Sequence, residues 1–205
     1  MVIKGEIELH KGENVITYQN IKLVSPYDIK TLTELRIIKR INQHSLLYFS
    51  GVIPEEKKDS CIGKATIDDK IEVYQIEGNN KIRTLFIGLV SNISVKCVKG
   101  IYYIYVEGIS FTHNLDIKSK SRSFQKADML YKDMIKKVTS DYNGADFQDM
   151  ISNNAAIEKF IVQYNETDWC FIKRMASHFG AVLVPDQCSD KPKFWFGLPK
   201  EKDGY

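Results

Sequence analysis

The sequence predicts an α+β protein: an antiparallel β-rich half over residues 1–115, a small barrel or sandwich, followed by a mixed α/β part over residues 116–205. Three observations carry this reading. The first 115 residues are dense in β-branched and aromatic side chains and are punctuated by closely spaced turn signals, as a meander of strands requires. Composition changes after Asp116, where apolar residues begin to recur at helical spacing. Short apolar runs then alternate with the helical patterns, so strands and helices are mixed in the second half.

In the first half, Leu32 to Ile53 is ambiguous, because Leu32, Leu35 and Ile38 recur near helical spacing while Leu35, Ile37, Lys39 and Ile41 alternate as in a strand. A strand is favoured, since Leu46 to Ile53 reads as strand directly afterwards. Residues 54–66, with Pro54 and the cluster Glu55 to Asp59, read as a solvated loop. Lys70 to Ile76 and Ile82 to Val90 form a hairpin across Glu77-Gly78-Asn79-Asn80. A second hairpin pairs Ile93–Val98 with Ile101–Val106 across Lys99-Gly100.

In the second half, Ala127, Leu130, Tyr131, Met134, Ile135 and Val138 share one face of a helix expected from Ser123 to near Asn143-Gly144. Phe160 to Tyr164 reads as a short strand. A second helix starts after Thr167, whose hydroxyl can cap it, and stops at Gly180. Ala181–Val184 and Lys193–Gly197 then bracket a Pro-containing loop and are expected to pair.

Composition excludes several function classes. Of the 205 residues, 43% are hydrophobic and 27% charged, which suits a globular chain rather than a disordered one. A net charge of +3 is too slight to imply a polyanionic partner, so nucleic acid begins as a minority reading. No stretch approaches the roughly eighteen apolar residues of a membrane span, and the N-terminus lacks the basic and apolar regions of a signal peptide. The expected location is therefore the cytoplasm at synthesis. Cys61, Cys97, Cys170 and Cys188 show no C-x-x-C spacing and read as reduced thiols.

Residues suited to chemistry are present but not in telling contexts. His10, His44, His113 and His178 are dispersed, and none belongs to an H-E-x-x-H unit. His178 suits a helix C-terminus, where positive charge complements the dipole. Cys170 and His178 are eight residues apart on one expected helix, roughly 12 Å along its axis, too far for a nucleophile and base. Asp68 and Asp69 are adjacent before a strand and would point to opposite faces, so they read as turn residues. Neither G-x-G-x-x-G nor a P-loop occurs. No catalytic residue, metal ligand or cofactor site is assigned, and the protein is expected not to be an enzyme. Tyr102, Tyr103 and Tyr105 are expected to serve core packing and an interface. The charge run Lys118-Ser119-Lys120-Ser121-Arg122 reads as a solvated connector or a subunit-contact strand, with phosphate contact as the alternative.

Two segments resemble a known family. Asp116 to Gln125 contains Ser121, Arg122, Phe124 and Gln125, and is similar to the "S-R-x-F-Q" connector of the VgrG and phage late control protein D family. Ile161 to Gly180 contains Gln163, Tyr164, Glu166, Thr167, Asp168, Phe171 and Arg174, and is similar to that family's "Q-Y-x-E-T-D-x-x-F-x-x-R-L" signature. Both occur in the family's order and near its spacing. The resemblance implies that residues 1–115 are a tube-forming β-barrel and 116–205 an α/β insertion, with these motif residues maintaining the fold. It further implies a homotrimeric baseplate hub of a contractile injection system, joining the hexameric inner tube protein to the central spike and meeting baseplate wedge proteins. Family members continue into a second barrel, so the chain is expected to be truncated before it. Two other classes stand beside this expectation: a β-barrel module for nucleic acid, and a hydrolase acting on cell wall.

Overall fold

The computed structural model describes residues 6–10, 13–58, 69–78 and 80–199, with side chains from residue 19 onward. Cys61, Asp68, Asn79, the N-terminal residues Met1 to Gly5 and the greater part of the expected 54–66 loop lie outside the described residues. The chain divides into two compact units. One comprises Met1–Ile38 and Ser45–Ser110, the other Lys39–His44 and Phe111–Tyr205.

The first unit is one antiparallel sheet of eight strands: β1 (Glu6–His10), β2 (Glu13–Tyr18), β3 (Ile21–Ser25), β4 (Thr31–Ile38), β5 (Leu46–Ile53), β6 (Lys70–Glu77), β7 (Asn80–Val98) and β8 (Ile101–Ser110). Their order across the sheet is β1-β2-β3-β6-β7-β8-β5-β4, and β3 to β8 curl into a half-barrel. Among the described residues β4 does not pair with β1, so the small barrel or sandwich expected from sequence is a half-barrel with two edges. The β4 edge carries exposed Glu34 and Arg36 and a bulge between Leu32 and Glu34, two devices that discourage edge-to-edge association.

Alternation along the strands makes the core. Leu47 and Phe49 of β5, Ile71 and Val73 of β6, Phe86 of β7, and Ile104 and Val106 of β8 are all buried on the inner face. The ambiguous Leu32 to Ile53 stretch holds β4 and β5, so period two governs there. The two expected hairpins share one strand: β7 runs nineteen residues, pairs first with β6 and then with β8, and absorbs the join in a bulge between Val90 and Asn92. Lys99 and Gly100 at its far end have φ of 51° and 79°, the backbone of the two-residue turn that matches strand twist. Gly88 permits close approach, since a Cβ there would overlap the Ile109 carbonyl and sit 2.6 Å from the Phe86 ring.

The second unit mixes helices with two small sheets. Its elements are a 3-10 turn (Phe111–Asp116), β9 (Ser119–Phe124), α1 (Tyr131–Thr139), β10 (Asp146–Asp149), β11 (Ile161–Thr167), α2 (Asp168–Ser177), β12 (Leu183–Pro185) and β13 (Lys193–Phe196). β9 and β11 form an antiparallel ribbon, while β13 lies between β10, parallel, and β12, antiparallel. Tyr131, Met134, Ile135 and Val138 of α1 pack with Trp169, Phe171, Ile172, Met175 and Ala176 of α2 in one core, closed by Phe124, Phe194 and Phe196. α2 ends as its sequence signals: the Gly180 N–H reaches Ser177 O, the Ala181 N–H reaches Ala176 O, and Gly180 has φ +61°.

The first helix needs correction. It begins at Tyr131, not Ser123, and ends at Thr139, before Asn143-Gly144. Ser123 and Phe124 belong to β9, and Ala127 precedes the helix. The run at residues 118–122, expected as a solvated connector or a subunit-contact strand, lies mostly in β9, which pairs with β11 of the same chain. The parallel pairing of β10 with β13 lies outside the sequence reading, because Asp146-Phe147-Gln148-Asp149 has too few apolar residues to signal a strand.

Candidate functional site

The two family-like segments meet in space, because β9 pairs with β11 and β11 runs directly into α2. Alternation decides what each strand presents. On β9, Ser119, Ser121 and Ser123 face solvent, while Lys120, Arg122 and Phe124 turn toward the unit's interior. On β11, Ile161 and Gln163 are buried and Val162 and Tyr164 are exposed, as is Phe160 just before the strand.

Arg122, Gln163 and Asp168 converge at the start of α2. The Asp168 side chain is fully buried, and each carboxylate oxygen is occupied. Oδ1 accepts from Arg122 Nη1 at 2.5 Å and Gln163 Nε2 at 2.7 Å, while Oδ2 accepts from Tyr142 Oη at 2.6 Å and lies 3.0 Å from Lys120 Nζ. A second carboxylate, on the partly exposed Asp141, takes Lys120 Nζ at 2.8 Å and Arg122 Nη2 at 2.6 Å. Two cations and two anions thus form a neutral network. A buried carboxylate without such donors would incur several kcal/mol of desolvation cost.

The titration behaviour follows from this geometry. Burial on its own would raise the Asp168 carboxyl, but hydrogen bonds from Arg122, Tyr142, Gln163 and Lys120 outweigh it and hold the group below the ordinary carboxylate range. Asp141 is lowered as well, chiefly by its hydrogen bonds to Lys120 and Arg122. Lys120 is desolvated, yet the bonds to Asp141 and Asp168 raise it above the usual lysine value.

A second polar cluster surrounds the α2 N-terminus. Thr167 Oγ1 accepts the Cys170 N–H at 3.2 Å, the cap expected from sequence, and donates its own hydrogen to Asp116 Oδ1. Asp116 also accepts from Cys170 Sγ at 3.8 Å and holds His44 Nε2 at 3.2 Å through Oδ2. His44 arrives on the segment Lys39–His44, which belongs to this unit although it links β4 to β5 in sequence. Asn42 anchors that segment: its N–H reaches Leu183 O at 2.8 Å, its Oδ1 accepts from Leu183 N at 2.8 Å, and its carbonyl accepts from Trp169 Nε1 at 3.3 Å. Neither Asn42 nor His44 carries a local signal of this role, because their partners are more than sixty residues away.

The other motif residues fall into three settings. Phe124 and Phe171 stack at 5.6 Å in the core. Arg174 lies over the Phe171 ring, donates to Val162 O at 2.7 Å and pairs with Glu166. Ser121 Oγ accepts the Asn165 N–H at 3.2 Å, whereas Gln125 and Tyr164 are exposed. Of the residues expected at an interface, Lys118 is exposed and Tyr105 is 39% exposed with Lys96 over its ring. Tyr102 is half-buried against the first unit's core, beneath Lys58, and Tyr103 is half-buried. Lys120 and Arg122 are engaged by Asp141 and Asp168, so the charge available from the 118–122 run for a phosphate is compensated at two of its three cations.

Chemically, the network is built to hold strands and a helix together, because both oxygens of the Asp168 carboxylate on α2 are taken by donors from β9, β11 and the turn after α1. Among the described residues, no group of three or more His, Cys, Asp or Glu side chains is placed to hold a metal ion, and no helix is long and apolar enough to cross a membrane. Cys97, Cys170 and Cys188 are free thiols.

The architecture has solved counterparts. The 43 kDa tail protein of prophage MuSo2 from Shewanella oneidensis superposes with a TM-score of 0.65 at 14% identity, over 86% of this chain and 52% of that one. The fold is that of phage tail proteins. A tail protein from Neisseria meningitidis matches with a TM-score of 0.57 at 14% identity, over 86% of this chain and 49% of its own. A component of the type VI secretion system of E. coli, described as structurally similar to the T4 bacteriophage tail proteins gp27 and gp5, matches with a TM-score of 0.53 at 12% identity, over 80% and 48%. The chain spans about half the length of each of these solved structures. No family model and no curated protein matches the chain by sequence.

Proposed function

We propose that the chain is a structural part of a contractile-tail baseplate, the tube-forming region of a hub that joins the inner tube to the central spike as a trimer. The observation that carries the reading is the fold shared over 86% of the chain with a phage tail protein, at a sequence identity where only architecture is compared. Internal organisation supports it. The segments that resemble the hub family are the ones that pair, as β9 with β11, and supply the buried Arg122–Gln163–Asp168 network. On this reading residues 1–115 form a tube-wall β-domain and 116–205 an α/β insertion. The ring contacts fall to the sheet's β1 edge, since the β4 edge is protected, and to exposed aromatic surface such as Tyr105.

The partners follow from the same role: copies of itself, the hexameric inner tube protein, the spike and the wedge proteins. Co-expression with the tube protein encoded in the same gene cluster tests the placement. Co-purification in a discrete complex of three hub copies is expected. A monomer that passes the tube protein without retention would contradict it.

A further inference from the structure

We propose that Asn143-Gly144 is a self-modifying turn, in which the Gly144 nitrogen attacks the Asn143 side chain and converts it to aspartate or isoaspartate while the protein stays folded. The inference goes beyond the tail assignment and does not depend on it.

Asn143-Gly144 is the only Asn-Gly pair in the sequence, and its helix-ending signal goes unused because α1 stops at Thr139. The pair instead forms the centre of a tight turn. The Ala145 N–H donates to Tyr142 O at 3.1 Å, and Gly144 has φ +70°, a backbone that glycine takes without strain. A Cβ at residue 144 would also sit 2.9 Å from Lys191 Cδ, so the turn holds a glycine at the position whose nitrogen reacts. Both residues are exposed. Among the described residues, neither the Asn143 carboxamide nor the Gly144 N–H has a hydrogen-bond partner. No hydrogen bond therefore has to break before nucleophile and electrophile meet.

Other asparagines of the same unit are held differently. Asn154 Oδ1 accepts from Lys132 Nζ at 2.5 Å, and the N–H that follows it, on Ala155, donates to Ser152 O at 2.7 Å. Asn42 Oδ1 accepts from Leu183 N at 2.8 Å.

The bonds balance with water as the sole co-reactant. Gly144 N loses its proton and bonds to Asn143 Cγ, the amide nitrogen leaves as ammonia, and a cyclic imide closes. Water entering at Cγ restores the ordinary linkage as aspartate. Water entering at the Asn143 main-chain carbonyl gives isoaspartate, with an added methylene in the main chain. Either product adds a negative charge. The turn absorbs the change, because the Tyr142 N–H is anchored on Thr139 O at 3.0 Å and the Asp146 N–H on Pro192 O at 3.1 Å. Lengthening the chain between these anchors disrupts the Tyr142–Ala145 hydrogen bond and leaves α1 and β10 in place.

The full chain is incubated at mildly alkaline pH, native and in urea, and its peptides are followed by mass spectrometry, with hydroxylamine to trap the imide. Exchange of the Asn143 amide nitrogen for oxygen is expected at similar rates in both states. The rate is expected to rise by up to about tenfold per pH unit, the limit for removal of a single proton. Asn42 and Asn154 are expected to react only in urea. Asn143→Gln keeps an exposed amide but cannot close the same ring, and is expected to lose the mass change while remaining folded. In the isoaspartate form isolated by anion exchange, Ala145 is expected to lose amide-exchange protection while α1 keeps its own. Reaction at Asn143 confined to urea overturns the proposal, as does an equal mass change at Asn42 or Asn154 in the native chain, or full protection of Ala145 in the isoaspartate form.

Discussion

Asp168 concentrates the second unit's polar chemistry in one carboxylate, and its removal exposes what the network contributes. Asp168→Ala leaves Arg122 with one anion instead of two and Gln163 with an unpaired amide hydrogen in the interior. Breaking a buried pair in this way costs about 3–5 kcal/mol, so the urea midpoint is expected to drop accordingly. A loss under about 1 kcal/mol, the value of an exposed pair, would contradict the burial argument. The pH dependence follows from the same residue. Asp168 and Asp141 are both lowered in the folded state, so their contribution is present above about pH 3.8 and is lost as pH falls through the folded values. Asp168→Asn should flatten that acid limb of the stability profile, measured by chemical denaturation at successive pH values. At this scale the sequence carried names without partners. Arg122, Gln163 and Asp168 were singled out by resemblance, but no spacing rule joins residues 46 apart, and Tyr142 and Asp141 had no signal at all.

Elements were most legible where hydrophobic burial sets their period. β5, β6 and β8 alternate as half-buried strands must, and α2 has both a capping Thr and a stopping Gly. β9 was legible only as an alternative to a solvated connector, for an instructive reason. Ser-Lys-Ser-Arg-Ser-Phe alternates with period two, but its inward residues are Lys120 and Arg122, which bury against carboxylates rather than apolar side chains, so a hydrophobic pattern search passes over it. β7 was read as two strands, ending at Val90 and resuming at Ile93, whereas a bulge carries one strand through. Two substitutions probe this scale. Thr167→Ala removes the α2 cap and strips Asp116 of a donor, with an expected cost of about 1 kcal/mol or somewhat more in denaturant melts, and Thr167→Ser should retain most of it. Gly88→Ala forces a methyl into the Ile109 carbonyl and the Phe86 ring, and is expected to lower stability by about 1–3 kcal/mol without changing the urea dependence.

For the whole molecule, composition indicated a globular β-rich chain, and the observed sheet has that character, but curvature and closure are set by bulges and long-range pairings that no local pattern encodes. The second unit's recruitment of residues 39–44 from between two strands of the first is likewise a tertiary event, fixed by Asn42 and Leu183 across 141 residues. The sheet is open, and on the proposed reading its β1 edge, not the charged and bulged β4 edge, is the one that neighbouring subunits seal. Labelling the protein in purified tail particles and imaging them by negative-stain electron microscopy tests that placement directly. The account predicts label on the tube axis at the baseplate end, and label along the sheath exterior, with the axis bare, would contradict it.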